Sequence, residues 1–110
     1  MLRFTVDASD ERFPADAHEA LAALAACRGY AAGRLGRAYD DPTAWCLVTE
    51  WTSVGAYRRA LSTYDVKLRA TPLLARAVPE ASAYESLATA EAGGAVTVVD
   101  SDRAVEESRG

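Results

Sequence analysis

Leu2, Phe4 and Val6 alternate with Arg3 and Thr5, the two-residue period of a strand that buries one face. After polar Asp7 to Asp10 the period lengthens. Pro14 suits the first turn of a helix, Ala17, Ala20, Leu21, Leu24 and Arg28 recur at helical spacing, and Gly29 supplies the stop. Alanine is so frequent here that propensity and periodicity agree, and its small side chain lets the helix lie close against a sheet. Tyr30 to Tyr39 and Ala44 to Trp51 then flank the turn sequence Asp40-Asp41-Pro42-Thr43, which predicts a hairpin of two long strands. Ser53 can cap the next helix, whose face holds Tyr57, Ala60, Leu61 and Tyr64, followed by a stretch carrying Val66, Ala70, Leu73, Leu74 and Ala77. Pro72 argues against one straight helix there. Pro79 marks the exit, and Ala81 to Leu87 reads as a last strand.

The predicted order, β-α-β-β-α-β, is that of a ferredoxin-like α+β domain with helices on one face of an antiparallel sheet. A second sheet face carrying Trp, Leu and Val would leave an apolar patch that pairing two copies removes, so a homodimer is expected. From Ala88 onward Ala, Gly, Glu, Asp and Ser prevail, with Ala95 to Val99 the one apolar run. The domain is therefore placed at 1–88 and a flexible tail at 89–110, with Val96, Val98 and Val99 able to add an edge strand or dock on a partner.

Composition narrows the classes of function. A chain of 110 residues has room for one core. The net charge is −4 and the basic residues are scattered, which gives no surface for nucleic acid. Ala20 to Cys27, the longest apolar-rich stretch, is far too short to span a bilayer, and no basic-then-apolar leader opens the chain, so no membrane association and a cytoplasmic location are expected. Cys27 and Cys46 lack metal-ligand spacing and read as small buried hydrophobes. With His18 as the single histidine, no metal site is expected. Gly33 and Gly36 lie inside a strand pattern and Gly93-Gly94 in the tail, so no phosphate-binding loop appears, and no nucleophile elbow or paired-carboxylate motif is present. Asp40 and Asp41 fit backbone bonding in the turn.

Glu50-Trp51-Thr52-Ser53-Val54-Gly55-Ala56-Tyr57, followed by Pro72-Leu73-Leu74, resembles the antibiotic biosynthesis monooxygenase family of dimeric α+β barrel proteins, over roughly residues 1 to 88. The resemblance rests on a Trp ending the third strand, a serine opening a helix, an aromatic residue one turn in, and the element order. It implies a small oxygenase that oxidises aromatic, polyketide-like molecules without metal or flavin, with molecular oxygen as co-substrate, in a pocket between helices and sheet. A haem-degrading branch of the superfamily is disfavoured. Ala60 and Ala70 stand where it wants a second Trp and a His, and Val6-Asp7 where it wants an asparagine.

Such chemistry needs an ionised, electron-rich phenol, so the protein must supply a proton acceptor, a dry cavity and polar anchors. The candidates are His18, Trp51 and Tyr57 as catalytic residues and Tyr64, Leu21 and Leu73 as substrate-binding ones. His18 has the intrinsic pKa of a base near neutrality but lies beside the apolar stripe of an Ala-rich helix, where a structural or surface role is the commoner one. Trp51 can wall a pocket and donate its indole N–H to a substrate oxygen, or simply close the core. Tyr57 and Tyr64, seven apart, lie on one helical face, so both can point at the sheet and place hydroxyls in a cavity, or pack with their hydroxyls reaching water. Arg34 and Arg37 fall on opposite strand faces, so at most one points to any pocket. Two alternatives stand beside the oxygenase: a non-catalytic dimeric module that binds a small molecule, and an aromatic polyketide cyclase on the same fold.

Overall fold

A computed structural model describes residues 1–100. Strand β1 (Leu2–Thr5), helix α1 (Phe13–Ala25), strands β2 (Tyr30–Arg37) and β3 (Ala44–Trp51), helices α2 (Val54–Leu61), α3 (Tyr64–Arg69) and α4 (Thr71–Leu74), and the short strands β4 (Ala88–Thr89) and β5 (Thr97–Val98) follow one another along the chain. Strands β1, β3 and β2 form one antiparallel sheet in that spatial order. The hairpin turns where Asp41 accepts hydrogen bonds from the Thr43 backbone N–H at 3.0 Å and hydroxyl at 2.6 Å, a local role that leaves it no part in a site.

Alternation sorts the side chains into two faces. Leu47 is buried, and in register with it on the same face stand Leu2 and Leu35, with Phe4 and Arg37 opposite Trp45. Against this face α1 lays Phe13, Ala17, Ala20, Ala23 and Leu24, all buried, and the three alanines on that stripe let the helix lie close to the strands. Phe13 meets Phe4 and Trp45 edge-on, each with centroids 5.3 Å apart. Val66, Ala70 and Leu73 from α3 and α4 complete the core. Each large buried side chain of this set contributes about 1.5–3 kcal/mol through removal of apolar surface from water.

Three sequence expectations are corrected here. Both tryptophans and Leu47 lie on the helix-covered face. The second face carries the smaller Ala32, Gly36, Cys46 and Val48, flanked by Arg3, Arg34 and Glu50. Cys27 and Cys46 are half-buried free thiols, not fully buried ones. No strand forms over 81–87. That segment is too poor in apolar alternation to bury a face, and Pro79 removes a ladder donor. It still begins alongside β1: the Val78 N–H donates to the Arg3 carbonyl at 2.7 Å, the N-terminal amine donates to the Ser82 carbonyl, and Arg3 pairs with Glu80. Residues 97–98, placed in the tail by sequence, pair antiparallel with 88–89, while 101–110 lie outside the described residues.

Candidate functional site

The C-terminal end of β3 delivers Trp51 to the helix side of the sheet, where Tyr30 and Tyr57 flank it. Tyr30 meets the indole edge-on at 5.3 Å and Tyr57 at a tilt of 49° and 5.5 Å. Tyr30 owes its place to an irregularity in the β2–β3 ladder between Tyr30 and Ala32. One extra residue returns Tyr30 to the face that Gly33 and Leu35 occupy. Tyr57 is placed by the start of α2, where the Ser53 side chain accepts a hydrogen bond from the Ala56 N–H at 3.1 Å, the cap its sequence position predicts. Gly29, at φ +89°, lets the chain pass so close beneath α2 that a Cβ there would sit 2.5 Å from that of Ala56.

The indole N–H of Trp51 donates to the Thr49 hydroxyl at 2.8 Å. The donor that the sequence assigns to a substrate oxygen is thus occupied within the protein, two residues back along the same strand face. Beside Trp51, Tyr57 opens onto an apolar, solvent-open recess of about 370 Å³ lined also by Leu2, Leu61, Thr71, Leu74 and Ala75. Burial pushes the Tyr57 hydroxyl above its ordinary value of 10.0, so it is a neutral hydrogen-bond donor throughout the physiological range. Thr71 contributes the second hydroxyl of the lining, and it already donates to the Val66 carbonyl at 3.3 Å.

The remaining sequence candidates lie elsewhere. His18 is exposed on α1 and does not line the recess. Tyr64 is 79 % exposed, because the helix capped by Ser53 ends at Leu61 and a new one starts at Tyr64 with a different phase. The seven-residue spacing from Tyr57 therefore loses its meaning. Leu73 is a core residue whose edge borders a second, more polar groove of about 310 Å³ between α1 and α3–α4. Leu21 is half-buried, lies over Gly33 beside Tyr30 and is not part of the recess lining. Tyr30 and Thr49 are the site neighbours that sequence reading missed. No local pattern marks Tyr30, because its face is set by the ladder irregularity between Tyr30 and Ala32. Arg37 stacks over Trp45 at 5.3 Å, on the helix face, and alternation puts Arg34 on the other, as their spacing predicts.

An antiparallel sheet under helices, with an aromatic cluster at a strand end beside an apolar recess that carries two hydroxyls, defines a small α+β protein. Among the described residues no group of three or more His, Cys, Asp or Glu side chains is arranged to hold a metal ion, and no helix is long and apolar enough to cross a membrane. The chain is similar to SnoaB from Streptomyces nogalater, a cofactor-independent oxygenase. Its crystal structure superposes with a TM-score of 0.61 at 28 % identity, covering 77 % of this chain and 90 % of that one. The structure of an alanine variant of SnoaB gives a TM-score of 0.62 at the same identity and coverage. No protein-family model and no curated protein matches the chain.

Proposed function

We propose that this protein is a cofactor-independent monooxygenase of the antibiotic biosynthesis type, acting on an aromatic, polyketide-like small molecule in the cytoplasm. The observation that carries the reading is the cluster of Tyr57 and Trp51 beside an apolar recess, on a fold similar to that of a described cofactor-independent oxygenase. Tyr57, kept neutral by burial, donates to the oxygen of the bound substrate and favours its ionised form. Leu2, Leu61 and Leu74 offer the ring an apolar surface, and Trp51 backs Tyr57. The recess lining includes no side chain that is a base at neutral pH, which selects substrates acidic enough to ionise without one, such as an anthrone methylene flanked by aryl and carbonyl groups. The methylene releases its proton to solvent water, the anion and oxygen combine to a peroxide anion, and this takes a proton back from solvent and loses water, so that one CH2 and one O2 become one C=O and one H2O.

We infer in addition that two copies pair through the second sheet face, where Ala32, Gly36, Cys46 and Val48 are half-buried. The β4–β5 ladder is two residues per strand and leaves Leu87, Val96 and Val98 more than half exposed, too small a unit to hold its shape unsupported in water.

The test is oxygen consumption by purified protein with anthrone and naphthol-like phenols, without added metal or flavin. Trp51→Phe and Tyr57→Phe are each expected to lower uptake about tenfold with the thermal transition retained. No uptake across the panel, with ligand binding still measurable, would overturn the oxygenase reading in favour of a binding module. Ring closure of a poly-ketone without oxygen uptake would identify a cyclase.

A further inference from the structure

Gly33 is a glycine inside an edge strand, a place where glycine weakens pairing and marks a close approach. The approach is that of Tyr30, whose ring folds back along β2. A Cβ on Gly33 would lie 2.3 Å from the Tyr30 hydroxyl oxygen and 2.9 Å from Leu21 Cδ1. Directly across the ladder from Gly33 stands Thr49, and facing Cβ positions in an antiparallel pair are about 4.5–5.5 Å apart. The Tyr30 hydroxyl thus lies over a residue with no side chain, under Leu21, with Thr49 on the neighbouring strand beside the Trp51 indole. Thr49 Oγ1 accepts from the indole N–H at 2.8 Å, which fixes one lone pair and leaves its own proton for another acceptor. Neither hydroxyl donates to another described residue. Tyr30, Gly33, Thr49 and Trp51 are all half-buried and none is charged.

We propose that the Tyr30 and Thr49 hydroxyls over Gly33 form a binding subsite for an acceptor oxygen, a carbonyl or phenolate, of a flat aromatic ligand whose ring lies against Trp51. The inference rests on the reading of Trp51 as a pocket wall and adds the group that orients the ligand. Two neutral donors with no cation match an oxygen of low or delocalised charge better than a phosphate or carboxylate, which require charge-assisted bonds. The glycine is then functional as well as structural, because any side chain at position 33 would displace the Tyr30 hydroxyl from its place.

Calorimetric titration with 1-naphthol and with naphthalene, which lacks the oxygen, tests this on the full chain. The unmodified protein is expected to prefer 1-naphthol. Tyr30→Phe, which keeps the ring on the glycine and on Trp51, is expected to weaken 1-naphthol binding about threefold to tenfold and leave naphthalene binding and the melting temperature unchanged. Thr49→Val is expected to show the same selectivity of loss. Equal weakening of both ligands by Tyr30→Phe would assign the ring a packing role only and overturn the proposal, as would the absence of a naphthol preference, or of any binding, in the unmodified protein. The oxygenase reading fails separately: selective loss without oxygen uptake removes that reading and keeps the subsite, whereas uptake insensitive to Tyr30→Phe, with no selective loss, removes the subsite.

Discussion

At the scale of single residues, the arrangement around Trp51 depends on what two glycines lack. Gly29 combines a positive φ with contact to Ala56, and Gly33 makes room for a tyrosine hydroxyl. Gly33→Ala is expected to cost about 1–3 kcal/mol, the usual range for an overpacked site, in urea unfolding. In a Tyr30→Phe background the nearest ring atom, Cζ, lies 3.2 Å from the new methyl, so the cost is expected to fall. An identical cost in both backgrounds would show that the hydroxyl is not the obstruction. Tyr57 and Trp51 were both legible as site candidates in the sequence because each carries a recognisable position, one turn into a capped helix and the last residue of a strand. Tyr30 was not, because its placement depends on a one-residue irregularity in strand pairing that no local pattern announces.

At the scale of elements, the helical region after β3 shows how capping overrides periodicity. The apolar pattern runs from Tyr57 to Leu74, yet Ser62 and Thr63 close one helix by donating their backbone N–H groups to Arg59 and Ala60, and Thr63, extended at ψ 149°, opens the next. The segment after Pro79 shows the reverse case, a stretch without strand pairing that is held to β1 by polar contacts. There the Arg3 guanidinium, by hydrogen bond and charge, holds the Glu80 carboxyl below its ordinary value near 4.5. A folded-state value below the unfolded one gives stability that is complete above the unfolded value and lost as the pH falls through the folded one. The melting temperature is therefore expected to drop between about pH 5 and about pH 3 more steeply in the unmodified protein than in Glu80→Gln. Asp10, lowered by its bond from Arg76, retains part of the slope in both. Parallel slopes would refute the contribution of the Arg3–Glu80 clasp.

At the scale of the whole molecule, one layer of helices covers one face of a three-stranded sheet, and the other face has no helix over it among the described residues. The pairing proposed above would cover it. Sedimentation is expected to give the mass of two copies of the 11.7 kDa chain, and Val48→Asp, which buries a carboxylate in that interface, to return a single copy. A single copy of the unmodified protein at micromolar concentration would refute the pairing. The second face is less apolar than the sequence led one to expect, because the same alternation that identifies β3 as a strand sends Trp45, Leu47 and Trp51 together to the helix side.

By itself the sequence determined the α+β class, the β1-α1-β2-β3-α2 order, the hairpin turn and the Ser53 cap, since each follows from periodicity, propensity or hydrogen bonding among residues close in the chain. Tertiary structure alone decided that Tyr64 turns to water, that His18 stays outside, that the Trp51 N–H is spent on Thr49, and that Tyr30 rests over Gly33. Those outcomes depend on helix phase across a break, on strand register and on which atoms meet after packing, and these are relations between residues that the chain brings together only when it folds.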